Sequence, residues 1–475
     1  MNPSSRPVLV ALVGLAFAPI GNAADVREFG AKGDGVTDDT AAVQRAVMSG
    51  PVFFSKGTYR ITAPVVVDLD KTGFSSLSGD GTARVVMNGA GAAFRFVGTH
   101  AGSADPKTVR PEVWERQRSP RFTDLEIVGD HPEADGIEAK GTMQLTVTDT
   151  VIRKTRNAIR LFERNRNVLI SNCHLYENGG CGILLDRVNL HQINIVGSHI
   201  SYNAGGGVVS RGGEVRNLHI GTCDIESNMS AGTPETANVL IDCREGSTAE
   251  VAITGCTIQH NNKSPGSANV RYLGRGITSA KNPEPTREGH LTITGNVFSD
   301  VRVNVHLQGV RGATITGNSF WEGFEHDLLL EDCQAVVVGP NDLDRNPRYI
   351  VNGNWGKERN GIVLRKCEDI KLEGMLVAGV WQKDAAVLLD ACKRATVQNC
   401  SILDSDGIGL LLRDCESSMV SGCVIRDDRP DRKPATSLAL ERGNGNWITN
   451  NWLGNGATGL SDSEIGSNRV TPASK

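Results

Sequence analysis

The constraint that dominates this chain is a repeat. Between residues 120 and 460 a short alternating strand ending in a turn recurs about every 22 to 33 residues. Examples are Leu145-Thr-Val147-Thr-Asp149, Val251-Ala-Ile253-Thr-Gly255-Cys256, Leu291-Thr-Ile293-Thr-Gly295-Asn296 and Ala395-Thr-Val397-Gln-Asn399-Cys400. A second short strand follows, with apolar residues two apart, as in Ile159/Leu161, Ile183/Leu185, Val239/Ile241, Val305/Leu307, Ile362/Leu364 and Leu410/Leu412. Period-two alternation nested in this longer period, with turn residues between, describes a β-solenoid. Nothing in the repeats has the 3.6-residue period of a helical solenoid, and a propeller would need about 40 to 50 residues per blade. About a dozen coils therefore make one elongated domain, where 475 residues alone would suggest two or three compact ones.

Composition agrees. With 54 glycines and 5% aromatic residues, the core must come mainly from Val, Ile and Leu, which suits sheets with tight turns. A formal net charge of −4, from 50 basic and 54 acidic residues, excludes a global field for nucleic acid or an acidic membrane. The eleven cysteines follow the repeat. Cys173, Cys223, Cys256, Cys400 and Cys423 share one register; Cys243, Cys333, Cys367, Cys392 and Cys415 share another; Cys181 stands apart. Small buried residues stacked in columns account for this pattern without metal or redox chemistry, although coil spacing would also allow disulfides between neighbours.

The N-terminus reads as an export signal: Arg6, an apolar run Val8–Phe17, and small residues at Gly21-Asn22-Ala23. The run is about half of what a membrane span requires. The division that follows is a signal peptide over 1–23, a solenoid domain over 24–465 with an N-terminal cap motif at 24–60, and a tail over 466–475, in a secreted or periplasmic protein. Ala41, Val43, Ala46 and Val47 suit one face of a short helix, N-capped by Asp38 or Asp39, that would cover the first coil.

The segment Asp25-Val-Arg-Glu-Phe29-Gly-Ala-Lys-Gly33-Asp34-Gly-Val-Thr-Asp38-Asp39-Thr-Ala-Ala-Val-Gln44, with Pro51-Val-Phe53-Phe54-Ser-Lys-Gly57-Thr-Tyr59, resembles the opening of the pectate-lyase-like superfamily, which includes rhamnogalacturonase- and epimerase-like proteins. The resemblance covers roughly residues 25 to 60. It implies an all-β fold, a single-stranded right-handed parallel β-helix with a short N-terminal capping helix, and action on polysaccharides. It implies no particular reaction. The Asn-Thr-Asp, Gly-His-Gly and Arg-Ile-Lys signatures of the polygalacturonase branch are absent, as is the Asp-Pro-His of alginate epimerases, so no catalytic residue is carried over. Asp34, Asp38 and Asp39 are explained by turn and cap chemistry.

Aligning the second strand across coils turns its outward positions into columns. Three residues after the first apolar anchor the column reads Asp186, Arg211, Asp242, Leu273, Gln308, Glu331, Arg365, Asp390, Arg413, Glu441, a charge ladder interrupted at Leu273 and Gln308. One residue after the anchor the column is apolar, at Leu184, Val209, Leu240, Leu329, Val363, Leu388 and Leu411, and is broken by Arg271 and His306. An outward apolar column calls for a cover, either flanking loops or the partner protomers of a homotrimer. Before the anchor, Asn238, Asn269, Asn304 and Asp327 replace the usual Gly or Ala. The longest insertions, 228–236, 261–267 and 274–289, fall in the same coils.

These coincidences define an expected site: His306, Arg271 and Asp242 as catalytic groups, with Arg244, Arg211, Asn238, Asn269, Asn304, Gln308 and Asp327 holding the substrate. Purely structural ladders would also produce the Asn and charge columns. Hydrolysis needs carboxyls about 5–9.5 Å apart, whereas Asp242 and Asp327 stand three coils, about 14 Å, apart; Glu235, Glu284 or Glu288 would have to complete a pair. β-Elimination from a uronate needs a cation against the carboxylate and a base, roles that suit Arg271 or Arg244 and His306. Arg160, Arg187, Arg211 and Arg275 on the same face favour an anionic glycan. No cofactor is called for, and the clustered carboxylates of calcium-assisted chemistry are not evident. The different-class alternative is a non-catalytic glycan-binding or surface β-helix. Trp114, in the irregular segment Arg110–Pro120, reads as a loop packed on the first coils or as a sugar platform.

Overall fold

The computed structural model describes residues 23–232, 236–279, 282–348, 356–430, 436–461 and 466–471. The proposed signal segment, apart from Ala23, and Glu235 lie outside them. No helix among the described residues is long and apolar enough to cross a membrane.

Successive coils pair in parallel and in register, Ile159 on Ile183, Val208 on Val239, Val270 on Val305, Leu328 on Ile362 and Val387 on Leu410. The result is a right-handed β-helix with three faces. A first face carries strands such as Ala268–Leu273 and Val301–Gln308, and a second carries Thr396–Gln398 and Met419–Ser421. In four consecutive coils, Ile159–Ser171, Cys181–Val196, Gly206–Gly221 and Ala237–Thr254, one strand runs through both faces around a bulged corner. The third face is a set of three-residue strands, His174–Tyr176, His199–Ser201, Asp224–Glu226 and Thr257–Gln259 among them. Each buries only its central residue, too little for alternation to register in the sequence, where two strands per coil are legible and the third is not.

Val, Ile and Leu from the three faces fill one continuous core. The eleven cysteines are all free and buried. Those of the first register sit just past the second-face strand and turn their thiols onto the carbonyl two residues back, as from Cys173 to Ser171 O at 3.2 Å and from Cys223 to Gly221 O at 3.3 Å.

The capping helix spans Thr40–Ser49 and buries Val43, Ala46 and Val47 as expected, with Ala42 in place of the exposed Ala41. Asp38 accepts the Thr40 N–H at 3.0 Å, while Asp39 instead accepts from Lys32 N and Gly33 N at 2.7 and 2.9 Å. Asp34 closes its turn by accepting from Val36 N, Thr37 N and the Thr37 hydroxyl. Trp114 lies partly buried against Val109, Val113 and Met143. The 274–289 insertion is a hairpin: Gly276–Ser279 pairs antiparallel with the start of Asn282–Thr294.

Candidate functional site

The corner between the first and second faces opens a groove of about 730 Å³ across three coils, lined by Leu184, Asp186, Arg187, Arg211, Gly212, Asp242, Arg244 and Glu245. The register stacks Asp186, Arg211 and Asp242 in adjacent coils. Where the first coil turns with Arg187 the second turns with Gly212, at φ +62°; a Cβ there would meet Arg187 Cγ at 3.0 Å. The glycine thus tolerates the left-handed conformation and keeps the floor open. One coil further on, Arg275 donates to Arg244 O at 3.4 Å where the hairpin begins.

Charges in this groove are unequally committed. Arg244 grips Asp242 with two bonds of 2.9 and 2.6 Å. Against burial, which pushes it up, this grip holds the Asp242 carboxyl below the ordinary aspartate range. Asp186 accepts from Arg160 Nε and Nη2 at 3.0 and 2.6 Å. Arg187 and Glu245 meet at 3.1 Å, and both are largely exposed. Arg211 is exposed and makes no ion pair or side-chain hydrogen bond with a described residue.

The remaining expected site residues sit elsewhere. Asn238, Asn269 and Asn304 point inward, fully buried, as part of a ladder that starts at Asn178 and runs through Asn203 and Asn228. Asn238 donates to Asn269 at 2.8 Å, Asn269 to Asn304 at 2.7 Å and Asn304 to Asp327 at 2.7 Å. Their amides also bond backbone carbonyls, Asn269 to Ser299 O and Asn238 to Gln259 O. A substrate cannot reach these groups, so the expectation that Asn238, Asn269, Asn304 and Asp327 hold one is corrected: they satisfy the buried turns of the coil. Burial, partly offset by Asn304 and Arg345, pushes the Asp327 carboxyl up to about 7.

Arg271 and His306 do come together, with Arg271 Nε donating to His306 Nδ1 at 3.3 Å, but they do not line the groove. Arg271 is 4% exposed and spends its Nη1 and Nη2 on Thr236 O and Gly266 O, at 3.3 and 2.6 Å. It clamps the ends of the 228–236 and 261–267 insertions. With Nδ1 accepting, His306 carries its proton on Nε2, which donates to Glu331 at 3.1 Å. A base needs a free lone pair and a neutralising cation needs an open face; this pair has neither on offer, which corrects the roles expected of them. Gln308 is exposed beside Leu273 and Glu331, outside the groove. Of the ten expected residues, the structure unites Arg211, Asp242 and Arg244. It joins to them Arg187, named among the arginines of that face, and adds Gly212 and Glu245, whose corner positions a strand-based alignment could not register.

A second cluster of titratable groups occupies the turn after the third face. His260 Nδ1 lies 3.4 Å from Asp300, whose carboxyl is held down at about 2 against burial by His260, Glu322 and Ser299. Burial and the neighbouring Asp300 push Glu322 up to about 9, and its Oε2 has no hydrogen-bond partner.

Residues 23–119 match the family model described as rhamnogalacturonase A/epimerase, pectate lyase-like, and residues 114–239 match the right-handed β-helix region. The pectate-lyase-like opening sits on a right-handed β-helix. Residues 343–471 match a model described as periplasmic copper-binding protein (NosD). Among curated proteins, the non-secreted LysM effectors LysM15 and LysM19 of Penicillium expansum are 42% identical over 57 residues and 37% over 67. These matches span 9% and 10% of this chain and only 4% and 5% of the fungal proteins. Among solved structures, the Dettilon tailspike protein gp208 is 14% identical with a TM-score of 0.49, covering 94% of this chain and 67% of the tailspike. PfbA, a surface adhesin of Streptococcus pneumoniae, is 14% identical with a TM-score of 0.42, covering 90% and 93%. None of these carries a residue role across.

Proposed function

We propose that the protein is an exported, polysaccharide-acting β-helix that takes an anionic, uronate-bearing chain into the Arg187–Arg211–Arg244 groove and cleaves it by β-elimination. The observation that carries this reading is Arg211: an exposed guanidinium without an ion pair among the described residues, flanked by two arginines whose acids are already matched. Such a group is matched by a ligand carboxylate, and its planar fork suits a carboxylate in two-bond geometry.

Elimination is favoured over hydrolysis by the state of the groove acids. Hydrolysis needs one carboxyl kept protonated as an acid, whereas Asp242 is held below the ordinary range and Asp186 is tied to Arg160. Elimination asks instead for a cation to neutralise the uronate, supplied by Arg211, and a carboxylate or other base for the C5 proton. Glu245, at the rim, is the groove carboxylate most open to a ligand.

The test is to incubate the purified protein with anionic and neutral polysaccharides, following ultraviolet absorbance of the unsaturated product and reducing ends together. Both signals rising on a uronate polymer support elimination. Reducing ends alone would mean hydrolysis, and retention of the polymer with neither signal would leave a glycan-binding module.

A further inference from the structure

At the opposite edge of the first face, where each coil enters its strand, a second groove of about 290 Å³ is lined by Asn262, Lys263, Arg302, Phe324, Glu325, Lys357 and Arg359. Its charges are arranged by the coil repeat. Lys263, Arg359 and Lys383 stand just before, and Arg302 and Glu325 within the opening residues of, the first-face strands of five consecutive coils. Glu325, the one acid of this series, is taken by Arg302 at 2.9 Å. Lys263, Lys357, Arg359 and Lys383 form no ion pair with a described residue.

Burial, then Arg359, lowers the affinity of Lys383 for its proton. Burial followed by Lys383, Arg365, His306 and Arg359 pushes His326 down to about 3. Unmatched cations crowded at one edge repel one another and cost stability, unless an anion binds among them.

We propose that this coil-entry groove is a second binding site for a polyanionic glycan, with Lys263, Lys357 and Arg359 contacting its acidic groups. The inference rests on the uronate-polymer reading of the substrate and extends it to a separate surface. The unpaired cations stand in the first, fourth and fifth of these coils; at about 4.8 Å per coil Lys263 and Arg359 are about 14 Å apart, so a polymer bearing one acidic group per sugar can meet both at once along the solenoid axis. Phe324 offers an apolar patch for a sugar face. The groove spans the second to fifth coils beyond that of Arg211 and lies across the width of the first face. It therefore adds avidity and holds a chain near the first groove, rather than touching the reacting bond.

Affinity electrophoresis through gels containing polygalacturonate, alginate or hyaluronan tests this, with the Lys357→Ala/Arg359→Ala double variant, Arg211→Ala and the unmodified protein side by side. Both substituted side chains are exposed, and thermal melting verifies folding; Lys263→Ala is the independent second variant. The expected result is at least a fivefold loss of apparent affinity in the double variant, a smaller loss in Lys263→Ala, and weaker salt dependence in both. Retardation lost in Arg211→Ala but unchanged in both coil-entry variants would overturn this inference and leave the first groove standing. The reverse pattern would retain this site and remove the first. Absence of retardation for the unmodified protein in every gel, or calorimetric binding of sodium sulfate without retardation by any polymer, would overturn the proposal.

Discussion

The asparagine ladder and the arginine groove are built by the same device, a polar residue placed once per coil, and they end as opposites. In the ladder the repeated position points inward; each amide from Asn178 to Asn304 both donates to and accepts from its neighbours, Asp327 accepts at the end, and all are buried. In the groove the repeated position points outward; Asp186 and Asp242 are matched, and Arg211 between them is not. A periodic polar column therefore carries no function by itself. What separates scaffold from site is whether the hydrogen-bonding capacity of the column is already consumed.

The sharpest break between the two classes is expected at Arg271. If it is a clamp, Arg271→Ala orphans Thr236 O and Gly266 O and opens a void, lowering stability by about 3 kcal/mol. Turnover per folded molecule would stay within a few-fold, measured by denaturant melts beside polymer assays; full stability with abolished turnover would return Arg271 to the chemistry. Within the ladder, Asn269→Ala should cost about 2 kcal/mol in the same melts, with polymer affinity unchanged. Arg211→Ala should do the converse, a tenfold or greater loss of affinity, or about 1.4 kcal/mol, at constant melting temperature.

The turn cluster yields a smaller, pH-dependent effect. Glu322 titrates at about 9 in the folded chain, above its ordinary 4.5, so the folded state holds more protons between those values. Its contribution is full below the unfolded value and is lost as pH rises through about 9. Glu322→Gln should flatten the alkaline arm of a stability-against-pH curve; an arm of unchanged slope would mean that another group sets it. Smallest of all, the half-exposed Arg413–Glu441 pair at 2.8 Å should be worth only about 0.2–1 kcal/mol in a double-mutant cycle.

The sequence displays the repeat, the inward Val, Ile and Leu positions and the cap because each depends on local periodicity or on a contiguous motif. The third face escapes notice because strands such as His199–Ser201 bury a single residue. The site is only partly legible. Reading columns by strand register brings together Arg211, Asp242 and Arg244, which share the groove, yet it places Asn269 and His306 in the same category, because register says nothing of what neighbouring side chains already bond. It also passes over Gly212 and Glu245, which act from a corner, where backbone bulges break the count.

The most direct measurement is a hydrogen-exchange footprint of the protein with and without a uronate oligosaccharide bound. The account predicts slowed exchange at 184–187, 211–214 and 242–245, with the Asn ladder unchanged. Protection confined to 268–308, around Arg271 and His306, would contradict it.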